Sequence, residues 1–258
     1  MNYDQIGRTY NNTRMPDPRI TERIIKYLGQ PAGSQIIDIG AGTGNYSYEL
    51  AENGFDVVAI EPSAVMRNQG KKHNKLKWVE GIAEKLPVDD RSVDGVICTL
   101  ATHHFTNLEL SFREMARVIK PHGKIVIFTA DPRTVLESCW IAEYFREIVE
   151  RSCNAQPEKG TLKQMFETNT GRTAAIHSFP LPHDLKDKFF FSGWRTPELY
   201  LNDEYRSGIS SLAAAPKELL EENLKKLADD LRTTDWHDKY GEIKSHAEYD
   251  CGYFFLVG

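Results

Sequence analysis

Asp38 stands two residues ahead of three alternate glycines, Gly40, Gly42 and Gly44, and Glu61 follows the last of them by 17 residues. These are the residues of the 258-residue chain whose types and spacing could do chemistry. Glycines let the main chain turn sharply and let a ligand rest against it. The helix behind such a turn points its first N–H groups at whatever lies above. A dinucleotide fingerprint is G-x-G-x-x-G, with a pyrophosphate at the helix start. Here the spacing is G-x-G-x-G, and Asn45 occupies the third glycine's place. A carboxylate at Asp38 repels a pyrophosphate and suits a cation, such as the ammonium of an amino-acid moiety. An acid at Glu61, closing the next apolar run, can accept hydrogens from both hydroxyls of a ribose.

The elements that must position these groups alternate in type. Gln35–Ile39 reads as a buried strand, and Tyr46, Leu50 and Ala51 begin a helix that ends at Asn53-Gly54. Phe55–Ile60 is a second strand. Ser63 caps a helix that should run to about Asn74, and Leu76–Val79 is a short third strand. Val93–Leu100 is the fourth, followed by Ala101-Thr102-His103-His104-Phe105. Ligands of open α/β sheets bind at the carboxyl ends of strands, so Thr99 to Phe105 should floor the site. A histidine there, His103 or His104, could take a proton near neutral pH or serve only the local structure. Leu108, Phe112, Met115 and Ile119 stripe the next helix, Pro121 and Gly123 make a tight turn, and Lys124–Thr129 is strand five. Further helices are expected over Thr134–Cys153, Thr161–Thr168 and Pro216–Leu231, with strands at Thr173–Phe179 and Asp250–Val257.

Three stretches together carry a family resemblance. SQIIDIGAGTGNYSY resembles motif I of the class I S-adenosylmethionine (SAM) methyltransferases. GIAEKLPVDDRSVDGVICTL is similar to that family's Ala-Glu-x-Leu-Pro segment and following strand, with Ala83-Glu84, Leu86-Pro87 and Asp94 matching. ARVIKPHGKIVIFTAD resembles its RVLKPGG turn, with His122 in place of the first glycine. The group resembled is methyltransferase type 11, ubiquinone/menaquinone-biosynthesis-like. The resemblance implies an α/β fold: a Rossmann-like, mostly parallel seven-stranded sheet, its last strand antiparallel, with a helical cap inserted late in the chain. It implies SAM as cofactor and S-adenosyl-L-homocysteine as product. The cofactor-binding positions it carries over are Asp38, Gly40, Gly42, Gly44, Glu61, Pro62, Met66, Ile82, Ala83, Glu84 and Thr99, with Tyr10 and Arg14 from an N-terminal lid. One departure stands out. Ile82 replaces an Asp that in many members bonds the adenine amino group, which leaves that reading to backbone groups around Ile82 and Ala83.

The expected division is residues 1–33 as lid and helix, 34–182 and 246–258 as core with a helical insertion at 134–153, and 183–245 as a helical substrate-binding cap. Trp140, Phe191 and Trp194 would wall an acceptor pocket, or else form the cap's own core. The partner expected is a small-molecule methyl acceptor, taken by proximity and orientation at the cofactor. A net charge of −5 argues against a broad basic nucleic-acid surface. No apolar run approaches the roughly 20 residues of a membrane span, and the polar start is unlike a signal peptide. Cys98, Cys139, Cys153 and Cys251 have no C-x-x-C spacing, which suggests reduced thiols in a cytoplasmic protein. No metal-ligand spacing or G-x-S-x-G elbow is present in the sequence. Two other classes stay open at this point: an NAD(P)-binding oxidoreductase or epimerase, although no Tyr-x-x-x-Lys pair follows strand four, and a non-catalytic SAM-binding protein.

Overall fold

A computed structural model of the chain describes residues 14–258. Its main sheet has seven strands, numbered here in chain order: β1 (Gln35–Ile39), β2 (Asp56–Ile60), β3 (Leu76–Val79), β4 (Val93–Thr99), β5 (Ile119–Ala130), β6 (Ala175–Ser178) and β7 (Tyr253–Val257). The order across the sheet is β3-β2-β1-β4-β5-β7-β6. The β1–β2, β1–β4, β2–β3 and β4–β5 pairs are parallel, and β6–β7 is antiparallel. Ile125 of β5 and the terminal Gly258 exchange both backbone hydrogen bonds, the signature of an antiparallel neighbour. The expected sheet, with its reversed last strand, is therefore the one observed.

The positions divide into two compact units. One comprises 16–130, 157–178 and 254–258. Strand β1 is buried on both faces, as a parallel strand between helices must be, and Ile36, Ile37 and Ile39 are fully enclosed. Helix α1 (Pro18–Leu28) begins with Pro at its first position and an Asp17 cap that accepts from the Arg19 N–H. It ends on Gly29 in the left-handed conformation. Helix α2 (Asn45–Glu52) follows the glycine turn, and α3 (Ala64–Gln69) follows the Ser63 cap. Helix α4 (Leu108–Val118) buries Phe112, Met115 and Val118, and Phe112 meets Phe166 of α5 (Lys159–Thr170) edge-on at 5.4 Å. Arg117 on α4 donates to the carbonyls of Leu86 and Val88, and Glu114 accepts from the Leu86 N–H, so α4 fixes the loop after β3.

Two sequence expectations change here. The helix after Ser63 stops at Gln69, well short of Asn74. The chain leaves it at Gly70, where a Cβ would lie 2.1 Å from the Trp78 ring, and turns so that His73 bridges to Leu76. Strand five starts at Ile119 and not at Lys124. Val93 pairs with Ile119 and Gly95 with Lys124, so Pro121–Gly123 is an irregularity within the strand.

The other unit comprises the described part of 1–15 together with 131–156 and 179–253. The expected helix over Thr134–Cys153 is two helices, Arg133–Ser138 and Ile141–Asn154. Cys139 between them is extended, and Trp140 donates its indole N–H to the Trp194 carbonyl at 2.6 Å. Trp140, Trp194, Trp236 and Tyr200 form an aromatic core, with Trp140 edge-on to Tyr200 and Trp236. The helix Lys217–Thr233 buries only Leu227 completely, with Leu220, Leu224 and Leu231 half-buried. A two-stranded ribbon pairs Leu181–Pro182 with Glu248–Tyr249. Thus 134–153 belongs with 183–245 in one compact body. Among the described residues no helix is long and apolar enough to cross a membrane.

Phe112→Ala should lower unfolding free energy by about 3–5 kcal/mol, the usual cost of emptying a large buried aromatic site. Urea denaturation would measure it, and a loss under about 1 kcal/mol would mean that the α4–α5 contact is not part of the cooperative core.

Candidate cofactor site

The turn after β1 is stitched to the end of β2. The N–H groups of Gly40 and Ala41 both donate to the Ile60 carbonyl, at 2.9 and 3.1 Å. Gly40, Gly42 and Gly44 all have left-handed φ, at +70°, +59° and +73°. Such a run strains any residue with a side chain. Two of the three are also crowded: a Cβ at Gly40 would lie 2.6 Å from the Ala101 Cβ, and one at Gly44 would lie 2.5 Å from the Trp78 ring. At Gly42 a Cβ would meet nothing within 4 Å. The turn is packed at its ends and open at its middle, where a ligand can lie on the backbone.

Beneath it sits Asp38, 2 % exposed. Ser47 on α2 donates to its Oδ2 at 2.6 Å, whereas Oδ1 is buried with no protein partner. Burial pushes the carboxyl up to about 7; the Ser47 hydrogen bond opposes this and the nearby Glu61 charge adds to it. The hydroxyls of Thr43, in the turn, and Thr99, at the end of β4, are likewise buried without a partner. A buried polar atom left unpaired costs about 1–3 kcal/mol. Asp38 and Thr99 lie on the adjacent strands β1 and β4, and Thr43 lies in the turn that follows β1.

Glu61 is 7 % exposed and held from both sides. The Gly42 N–H donates to Oε2 and the Ser63 N–H to Oε1, each at 2.9 Å. Each oxygen keeps lone-pair capacity for a further donor. Burial raises its pKa, against the pull of those two N–H groups and the Arg67 charge. Arg67 braces the strand end by donating to the carbonyls of Glu61 and Pro62 and pairing with Glu80. Beyond β3, Ile82 is exposed and Ala83 buried. Glu84 Oε1 accepts from the Thr106 N–H and hydroxyl and from the Asn107 N–H. Met66 is buried on the first turn of α3, and Pro62 is exposed.

His103 and His104 lie half-buried in the short turn Thr102–His104 after β4. Tight 3-10 winding brings the two adjacent rings to 3.8 Å between centroids. Thr102 turns inward and its hydroxyl meets that of Thr129 at 3.0 Å. Among the described residues there is no cluster of three or more metal-ligating side chains.

The remaining expected site residues lie in the other unit. Arg14 forms an ion pair with the buried Asp187, Nε to Oδ1 at 2.5 Å, and stands over the Phe189 ring. Trp140, Phe191 and Trp194 are at most 2 % exposed and belong to that unit's interior. Tyr10 is outside the described residues. Sequence reasoning missed Ser47, Thr43 and Arg67. The first two had a signal, small polar residues in the turn and on the first turn of the helix behind it. Arg67 had none short of the folded structure.

These features define an open α/β fold with a left-handed glycine turn and two buried acids at the carboxyl ends of adjacent parallel strands. A methyltransferase domain model matches residues 37–127. The crystal structure of a candidate methyltransferase from an antibiotic biosynthesis pathway of Anabaena variabilis is 46 % identical. It superposes with a TM-score of 0.91 over 95 % of this chain and 98 % of that one. A demethylmenaquinone methyltransferase of Beutenbergia cavernae is 29 % identical over 60 % of this chain and 69 % of its own length. For an uncharacterized methyltransferase of Mycobacterium bovis the figures are 32 %, 58 % and 61 %. The chain thus spans about two thirds of the length of these two curated relatives. The chain belongs to the methyltransferase family, as a SAM-dependent enzyme of the class I fold.

The Asp38 shift sets a stability prediction. Its folded value of about 7 lies above the ordinary 3.8. The native state therefore holds the proton more tightly, and the stability linked to it is fully present below pH 4 and lost as pH rises toward 7. The amount is on the order of 4 kcal/mol. Asp38→Asn keeps a partner for Ser47 and removes the charge. The free variant should match the wild type near pH 4 and be more stable at pH 8, by urea titration at both values. A variant less stable at pH 8 would show that the charge is already compensated within the protein.

Proposed function

We propose that the chain transfers the methyl of SAM to a small-molecule acceptor, with Asp38 and Glu61 orienting the cofactor. The observation that carries this reading is the unpartnered, buried Asp38 oxygen beneath an open glycine turn. It suits an ammonium group and opposes a pyrophosphate, which counts against a nicotinamide dinucleotide. Glu61, one strand over and pre-set by two backbone N–H groups, has capacity for two ribose hydroxyls. Gly40, Gly42 and Gly44 supply the surface between them, Pro62, Met66, Ile82, Ala83 and Glu84 the surroundings of the base, and Thr99 the far wall. When bound, the cofactor supplies a methyl on a cationic sulfur for in-line displacement by an acceptor lone pair, leaving S-adenosyl-L-homocysteine.

The acceptor class rests on relatives whose names specify small molecules, demethylmenaquinone among them. The chain's own contribution to rate is alignment and exclusion of water. In this reading one of His103 and His104, on the turn after β4, receives the acceptor's proton, or both serve only the local structure.

Four outcomes test the proposal. SAM or S-adenosyl-L-homocysteine at 100 times its dissociation constant should stabilise the protein by about 2.7 kcal/mol, and NAD should not; the reverse pattern would end the reading. Glu61→Ala removes charge-assisted hydrogen bonds worth about 1.5–3 kcal/mol each, so calorimetric SAM affinity should fall tenfold or more with the fold intact. Affinity should also weaken below pH 7, where Asp38 takes up its proton, and the Asp38→Asn variant should lose that dependence. For the histidines, single-turnover transfer in His103→Ala and His104→Ala should fall about 10²–10⁴-fold at whichever position accepts the proton. Losses under tenfold at both would leave alignment as the whole mechanism.

A further inference from the structure

We propose that Cys139 and Cys251 form a peroxide-reactive dithiol site, closed by a reversible disulfide. Both lie in the unit that comprises 131–156 and 179–253, and neither takes part in the cofactor reading above. Two stretches of chain bring the sulfurs together. Tyr249 donates its hydroxyl to the Ser138 carbonyl. Tyr249 also stacks on Trp194, whose carbonyl accepts the Trp140 indole N–H. On the other side Thr134 lies against Gly252, where a Cβ would be 3.0 Å from the threonine hydroxyl. Neighbours of Cys139 thus meet residues on either side of Cys251, and the two thiols are within hydrogen-bonding reach of each other.

Access separates their roles. Cys139 is 7 % exposed and lines a cavity of about 390 Å³ with Glu137, Trp140, Arg146 and Tyr240. Hydrogen peroxide, scarcely larger than water, fits there. Cys251 is fully buried. Burial, with the hydrogen bond to Cys139, pushes its thiol up, so it stays neutral and does not react first. Its backbone is fixed: the Gly252 N–H donates to Asp250 at 2.8 Å, and the Gly252 carbonyl accepts from the Asp131 N–H at 2.9 Å. Cys139 is extended and lies in neither flanking helix, so closing the pair to a disulfide length of about 2.05 Å breaks no helical turn. The Cys139 thiolate attacks one peroxide oxygen and the O–O bond breaks. The departing hydroxide takes up the proton that Cys139 released, which leaves water and a sulfenic acid. The Cys251 sulfur then attacks the sulfenic sulfur. The S–O bond breaks, and the leaving hydroxide takes the Cys251 proton as a second water. Two thiols have lost two electrons, and one peroxide has become two waters. A dithiol reductant reverses the bond by exchange.

The test treats the reduced full chain, with its four free cysteines, with a small excess of hydrogen peroxide. Peptide mapping after alkylation should find two thiols lost and one peptide joining Cys139 to Cys251, both reversed by dithiothreitol. Cys153 is an internal control of similar exposure, 6 %, roughly three turns along the helix Ile141–Asn154, and should remain open to alkylation. In Cys251→Ser the oxidation should stop at a Cys139 sulfenic acid that dimedone labels. In Cys139→Ser, Cys251 should stay reduced about tenfold longer than in the wild type. Four reduced thiols in the treated wild type, a Cys139 oxidised without the link, or a link between a different pair overturns the proposal. So does oxidation of Cys251 at the wild-type rate in Cys139→Ser. The wild-type map needs no variant, so misfolding of either substitution leaves that test standing.

Discussion

The burial of the Asp38 carboxylate beneath the glycine turn is the constraint on which the site depends. A charge removed from water must be compensated or neutralised. Within the protein Asp38 receives one hydrogen bond, from Ser47, and its proton affinity rises accordingly. The folded chain thus carries a cost that a cation over the turn would relieve. If a cation binds there, as proposed, stability and ligand affinity are set against each other at this one residue. The three left-handed glycines belong to the same constraint, because they bring the backbone over the acid without a side chain to fill the space.

What aligns the acid with the rest of the site is parallel pairing. In parallel strands the carboxyl ends emerge together, so residues far apart in sequence become neighbours. The register Ile39 with Ile60 and Ile60 with Val79 puts Gly40, Glu61 and Glu80 in a row. Helix α4 then acts at a distance from its own core contacts. Arg117 and Glu114 grip the main chain at Leu86 and Val88, and this holds the loop that presents Ile82. The loop's geometry thus follows from a helix packed through Phe112 and Met115.

The second unit follows a different logic. Its interior is aromatic, and its polar ring atoms are paired internally: the Trp194 indole with the Leu181 carbonyl, the Tyr200 hydroxyl with the Phe190 carbonyl. Among the described residues Trp236 differs, its indole N–H buried without a partner. Such a core is specified by shape and by hydrogen bonds between residues 10 to 54 positions apart, and these leave no periodic trace in the sequence. That is why Trp140, Phe191 and Trp194 read equally well as pocket walls or as core.

The sequence by itself determined the sheet, the glycine turn and the two acids. Each is written in local terms: apolar β-branched runs for the strands, alternate glycines for a backbone that must be left-handed, a capping Ser63 for a helix start. Tertiary structure alone decided where that local grammar stops. Trp78 crowds Gly70 and ends a helix whose own pattern would continue, and the pairing of Val93 with Ile119 extends a strand through Pro121. The same holds for the state of the site. Asp38 is an ordinary acid in the sequence, and only enclosure by the turn and Ser47 raises it to about 7. Ile82 is an ordinary apolar residue until Arg117, 35 positions later, fixes the loop that exposes it. Propensity and spacing act over a few residues, whereas burial and long-range pairing exist only once the chain has closed on itself.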